Sequence, residues 1–166
     1  MVVVTISLGS VLSILDAGRK SKSLKSVMTN LNFTLEVMSR DIKFGKNYYC
    51  GIDANTPHTL KQDCTGNALP PGTAITFTKS DGTDVIYRLN GTQIEQSTDY
   101  GANYNAMTSP DVIIQDMRLY VFGTTAYPDT AQPRVLLRMS GYAGSKPTLQ
   151  SKFYLQTAMS QRVPDL

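Results

Sequence analysis

Two cysteines, Cys50 and Cys64, stand fourteen positions apart in a stretch crowded with turn residues. A close pair of thiols in a loop favours oxidation to one disulfide, and that chemistry belongs to an oxidising compartment. The alternative is a pair of free thiols in a cytosolic protein. Other reactive types are scarce. His58 is the only histidine, which excludes a histidine-based metal cluster. A Ser–His–Asp relay would have to use His58, beside Pro57 and with no nucleophile elbow nearby. No glycine-rich loop of the phosphate-cradling kind occurs. The chain is therefore not expected to be an enzyme or to carry a cofactor.

Asp99, Asn103 and Asn105, with Gly101 among them, offer oxygens of the type that bind calcium. Their spacing does not match an EF-hand loop and no bidentate glutamate follows, so no metal is expected. Asx and glycine residues are also what an irregular turn requires. The same loop carries Tyr100, Asn103 and Tyr104, a candidate partner-binding patch. Arg19, Lys20, Lys22 and Lys25 bring four cations close together, suited to anionic headgroups, to acidic side chains of a neighbouring helix, or simply to solvent. Asn32 and Asn90 open Asn-x-Thr sequons, one inside a helical pattern and one at a hairpin turn. The net charge of +3 is too small to argue for nucleic acid. Along the chain no basic strip outside the helix interleaves with aromatics, so no nucleic-acid partner is expected.

The elements that must position these residues are legible from periodicity. From Val2 to Phe44 there is no proline, and apolar residues recur at steps of three and four. This predicts one long helix of about 65 Å at about 1.5 Å per residue, more than a small head can cover. Val4, Leu8, Val11, Leu12 and Leu15 belong to an upstream part that is apolar nearly all round. Leu24, Val27, Met28, Leu31, Leu35, Met38 and Ile42 form a one-sided packing stripe, with Asn30, Asn32, Glu36, Ser39, Arg40 and Lys43 turned outward. Gly45 is expected to cap the helix. The apolar run from Val2 to Leu15 is too short to span a bilayer by itself, which takes roughly 20 residues.

Lys46 to Gly72 reads as a long loop clipped by the cysteines. Beyond it the period becomes two. Ala74–Thr78, Val85–Leu89 and Thr92–Gln96, separated by Asp81-Gly82 and Asn90-Gly91, predict an antiparallel meander. Further strands are expected at Val112–Phe122, Arg134–Tyr142 and Thr148–Thr157. With 41% hydrophobic and 17% charged residues the chain can bury a core. The predicted class is α+β: a helix over 1–45 packed on an antiparallel sheet in a head spanning 46–166.

A one-sided helix with an apolar start, a cysteine-clipped loop and an antiparallel sheet resembles the type IV pilin and pseudopilin family. The run Leu31-Asn32-Phe33-Thr34-Leu35-Glu36-Val37-Met38-Ser39-Arg40-Asp41-Ile42 is similar to the second half of that family's first helix. Phe153-Tyr154-Leu155-Gln156-Thr157-Ala158-Met159-Ser160-Gln161-Arg162 looks like the ends of pilin-like proteins that carry a prepilin-type N-terminal methylation segment, and the leucine-glutamate-methionine-arginine flavour of the helix run resembles that of the J-type minor pseudopilins. Val2 to Leu8 is similar to the downstream part of the family's N-terminal hydrophobic run; the leader and the fifth-position glutamate are not in this sequence.

The resemblance implies a pilin-like fold and a structural subunit of a type IV pilus-like or type II secretion-like filament. Its partners would be other pilin or pseudopilin subunits. Its place would be the bacterial cell envelope, in the inner membrane before assembly and in a periplasmic or extracellular filament afterwards. The competing expectation is a soluble extracellular binding or adhesion module that oligomerises through a helical coiled coil.

Overall fold

In the computed structural model the described residues are 2–51, 60–66, 70–124, 131–144 and 150–162, and side chains within the helix are described from Ala17 onward except at 20, 23 and 26. Helix α1 runs Val2–Lys43 and is followed by β1 (Lys46–Gly51), β2 (Ala74–Thr78), β3 (Asp84–Asn90) and β4 (Gln93–Ser97). Then come the short β5 (Asn105–Ala106) and three longer strands, β6 (Val112–Phe122), β7 (Arg134–Ala143) and β8 (Ser151–Ser160).

The expected α+β, pilin-like class is corrected by this architecture. Counted over residues with described side chains, strand makes up 49% and helix only 20%, and the strands form two antiparallel sheets, not one. The chain is mostly β. The physical reason lies in what each element buries. The helical pattern is the longest uninterrupted one, but it gives the core only a stripe of Val27, Leu31, Met38 and Ile42. The strands supply most of the rest, including Tyr48, Ile75, Phe77, Tyr87, Ile94, Met117, Leu119, Leu137 and Met139.

The first sheet has the order β1-β2-β3-β4-β5 and the second β6-β7-β8. The tight turn between β2 and β3 is fixed by Asp81, whose carboxylate accepts the Thr83 amide at 2.8 Å, with Gly82 at φ 86°. That amide, then the Thr83 hydroxyl, holds the Asp81 carboxyl below its usual range. The turn between β3 and β4 is the pair Gly91-Thr92, since Asn90 already pairs with Gln93 as a strand residue. Asn90 donates its amide to Glu95 at 3.0 Å, so its role in the hairpin is side-chain pairing as well as turning.

The segment from Lys46 to Gly72, expected to be loop, contains β1 and stitches the two sheets together. Cys64 and Val121 exchange backbone hydrogen bonds at 3.1 and 3.3 Å, and Gly72 and Leu119 do so at 2.9 and 2.8 Å. Its turn residues hid a strand whose inward positions are Tyr48 and Cys50.

The helix end also differs from expectation. Gly45 does not take the left-handed conformation of a capping glycine; Asn47 does, at φ 57°. Gly45 is needed for space, because a Cβ there would lie 2.5 Å from the Phe77 ring. The last carbonyls of α1 find other donors: the Tyr48 hydroxyl to Ile42 at 2.5 Å and the Arg162 amide to Lys43 at 2.7 Å. The residues just after β8 thus close the helix end.

Candidate functional site

Four places bear on function: the cysteine clip, the helix, the loop after β4 and the outer face of the second sheet. The clip is present. Cys50 and Cys64 are disulfide-bonded, with Cα atoms 5.7 Å apart and both residues buried. Cys50 sits on β1 of the first sheet and Cys64 bridges to β6 of the second, so the bond ties one sheet to the edge of the other. Gly72 lies against it, where a Cβ would approach the Cys50 sulfur at 2.6 Å.

On the helix, Val27, Leu31, Met38 and Ile42 are buried as the packing stripe requires, and Leu35 packs partly against the same core. Leu24 and Met28 do not join them. They are 39% and 47% exposed, and Phe33, on another face, is 61% exposed. Val4, Leu8, Val11, Leu12 and Leu15 have side chains outside the described residues, as does Lys20.

Three polar residues missed by an apolar-stripe reading dock the helix. Thr34 is fully buried and its hydroxyl donates to the Met107 carbonyl at 2.9 Å. Asn30, expected to face outward, accepts the Ser109 amide at 2.9 Å. Asp41 is 8% exposed and accepts from Tyr87 at 2.9 Å, Lys79 at 3.0 Å and Gln96 at 3.3 Å. Burial and then the Asp41 charge push the Tyr87 hydroxyl well above the usual tyrosine range, so it stays a donor at any working pH. Asp41 sits one position from Ile42 on the packed face, the signal that could have marked it.

The loop after β4 is organised around Asp99. Its Oδ1 accepts from the Ser97 hydroxyl at 2.7 Å and the Asn103 amide at 2.9 Å, and its Oδ2 from the Asn103 side chain at 2.6 Å. The Asn103 amide, then Ser97, holds the Asp99 carboxyl down to about 2, so it is ionised throughout the ordinary pH range. Both carboxylate oxygens already have donors, which is the arrangement of a self-contained turn. Among the candidate patch residues, Asn103 is therefore committed to the turn. Tyr104 lies under the Arg88 guanidinium, 3.3 Å from its ring centroid, where Arg88 also pairs with Glu95. Tyr100 alone projects, 58% exposed and at a left-handed φ of 60°.

The fourth place was not visible along the chain. On β6, β7 and β8 the inward residues alternate with a second set that faces away from the core. Strand register lines these up in cross-strand rows: Tyr142 with Lys152; Asp116 with Ser140 and Tyr154; Arg118 with Arg138 and Gln156; Tyr120 with Leu136 and Ala158; Phe122 with Arg134 and Ser160. Arg134, Arg138, Lys152 and Tyr154 are exposed, Tyr154 at 83%. Arg118 pairs with Asp116 at 2.8 Å. Two shallow grooves lie on this face: about 450 Å³ beside Arg138, Ser140 and Tyr154, and about 280 Å³ beside Phe122, Arg134 and Leu136.

Among the described residues, no group of three or more His, Cys, Asp or Glu side chains is placed to hold a metal, and no helix is long and apolar enough to cross a membrane. His58 lies outside the described residues. No family model, no curated protein and no solved structure matches the chain.

Proposed function

We propose that this chain is a structural subunit of a type IV pilus-like or type II secretion-like filament, assembled through α1, and of the minor pilin or pseudopilin kind. The observation that carries the reading is the helix's uncovered apolar surface: Leu24, Met28 and Phe33 are 39%, 47% and 61% exposed. Leu24 and Met28 are i, i+4 neighbours and form one continuous ridge. A neighbouring helix seated on that ridge buries both, worth roughly 1.5–3 kcal/mol for each side chain fully covered. Asn30, Thr34 and Asp41 clamp the same helix to the head, so a load on the helix passes into the sheets.

The cations Lys22 and Lys25, exposed beside the ridge, then pair with acidic side chains of the neighbour and set its register. The proposed anchor in the inner membrane before assembly is the apolar helix start, Val2 to Leu15. The head faces the oxidising side, where the Cys50–Cys64 bond persists.

Sedimentation velocity over a range of protein concentrations tests the assembly step. The native chain self-associates, and Leu24→Asp with Met28→Asp weakens that association by about 100-fold or more. A native chain that stays monomeric at every concentration, or a double variant that associates as well as the native chain, contradicts the proposal.

A further inference from the structure

We propose that the outer face of β6, β7 and β8 binds a single-stranded nucleic acid, with Arg134 and Arg138 pairing phosphates and Phe122 and Tyr154 stacking bases. The assignment does not depend on the filament reading, because it concerns the side of the sheet turned away from α1 and the core. Its first support is where the charge sits. Of the ionic side chains in the cross-strand rows, four are cations, Arg118, Arg134, Arg138 and Lys152, and Asp116 is the one acid. Asp116 is satisfied by Arg118. Arg134, Arg138 and Lys152 make no ion pair among the described residues, and each is exposed.

The second support is that each groove couples a guanidinium to an aromatic ring. Arg138 and Tyr154 line the larger groove, Arg134 and Phe122 the smaller. The two arginines are four residues apart on the central strand, which sets the subsites roughly 13 Å apart at about 3.3 Å per residue. A repeated unit of positive charge plus a flat apolar surface matches a polymer with a repeated unit of phosphate plus a flat base. Arginine suits both halves, since its planar fork grips phosphate and stacks on a ring. An acidic peptide would use the charges and leave the exposed Tyr154 and the half-buried Phe122 without a flat partner at each charge. Ser140 and Gln156, which line the larger groove with Arg138 and Tyr154, add hydrogen-bonding capacity that does not discriminate one base from another.

The test uses the full chain and a fluorescein-labelled 20-nucleotide oligothymidylate, read by fluorescence anisotropy at low salt. Binding is expected, falling as salt rises. Arg134→Glu with Arg138→Glu is expected to weaken it about 100-fold and to flatten the salt dependence. Tyr154→Ala is expected to cost about 10-fold while leaving the salt dependence unchanged, as loss of stacking without loss of charge requires. Lys46→Glu, a reversed exposed cation on β1, is expected to change the affinity less than twofold. Arg134→Gln with Arg138→Gln provides a milder neutral pair, and thermal midpoints of all variants read whether the fold is kept. Three outcomes overturn the proposal: no binding by the native chain; arginine variants that bind as well as the native chain; or poly-glutamate or heparin competing equally per charge while Tyr154→Ala changes nothing.

Discussion

Replacing Gly141 by alanine is expected to be the most damaging small substitution in the molecule. Gly141 is buried in the central strand of the second sheet, next to the bulge between Ile114 and Asp116. A Cβ at this position lies 2.1 Å from the Ile113 carbonyl oxygen and 3.0 Å from its carbon. Those are backbone atoms, so no side chain can rotate out of the way. Relief requires β6 and β7 to separate where their ladder is already interrupted. Overpacking in a core costs about 1–3 kcal/mol and more where backbone must move, so about 3 kcal/mol or more is expected here. For a chain of this size that lowers the thermal midpoint by roughly 6–12 °C.

Gly18 provides the contrast. A Cβ there meets nothing within 4 Å, and alanine in a helix interior is favoured over glycine by about 0.5–1 kcal/mol. Gly18→Ala should therefore be neutral or slightly stabilising in the same thermal melt. Equal midpoints for Gly141→Ala and Gly18→Ala would show that the close approach of β6 and β7 does not exist.

Breaking the Cys50–Cys64 bond is the second large effect. Closing a loop of fourteen residues restrains the unfolded chain by roughly 3 kcal/mol in the loop-entropy account. The bond also has a structural task that the loop length does not describe. It holds β1, at the edge of the first sheet, against the segment that pairs with β6 of the second. Cys50→Ala with Cys64→Ala is thus expected to lower the thermal midpoint by roughly 6–12 °C. Hydrogen exchange at the amides of Cys64, Gly72, Leu119 and Val121 should accelerate more than that at the β3–β4 hairpin. Intact mass after alkylation checks the premise: two thiols should become reactive only after reduction. Unchanged stability with uniformly unchanged exchange would remove the clip from any role in joining the sheets.

How much of this could be read from the residues differs from element to element. The two hairpin turns were legible because Asp81-Gly82 and Gly91 carry backbone demands that few other residues meet. Strand β6 was legible because Met117 to Phe122 alternates buried and outward residues, although the bulge between Ile114 and Asp116 shifts the period upstream of it. Strand β1 was not, because Asn47 and Gly51 look like turn residues and its pairing partners lie beyond Gly72. The division into two sheets depends on which edges meet, and period alone does not encode that.

The helix stripe shows the same limit. Its spacing runs from Leu24 to Ile42, but the head covers Val27 and Leu31 and leaves Leu24 and Met28 uncovered, so these two share the pattern without sharing the burial. Thr34 and Asp41 are buried by partners seventy-three and forty-six residues away, a distance that no local pattern bridges. The row of cations and aromatics on the second sheet is the extreme case. Its members come from three strands, and along the chain each is an isolated charge or ring. Only the register of β6, β7 and β8 assembles them.

The most direct measurement of the account's central claim is site-specific cross-linking at Met28. A benzophenone side chain at this position, in the full chain under assembling conditions, reports what lies on the exposed ridge of α1. The account predicts a cross-linked dimer whose joined peptides both come from the helix region of residues 2–43. Cross-links that fall only on the protein's own head, or no intermolecular product at concentrations where the chain sediments as an oligomer, would contradict assembly through the helix.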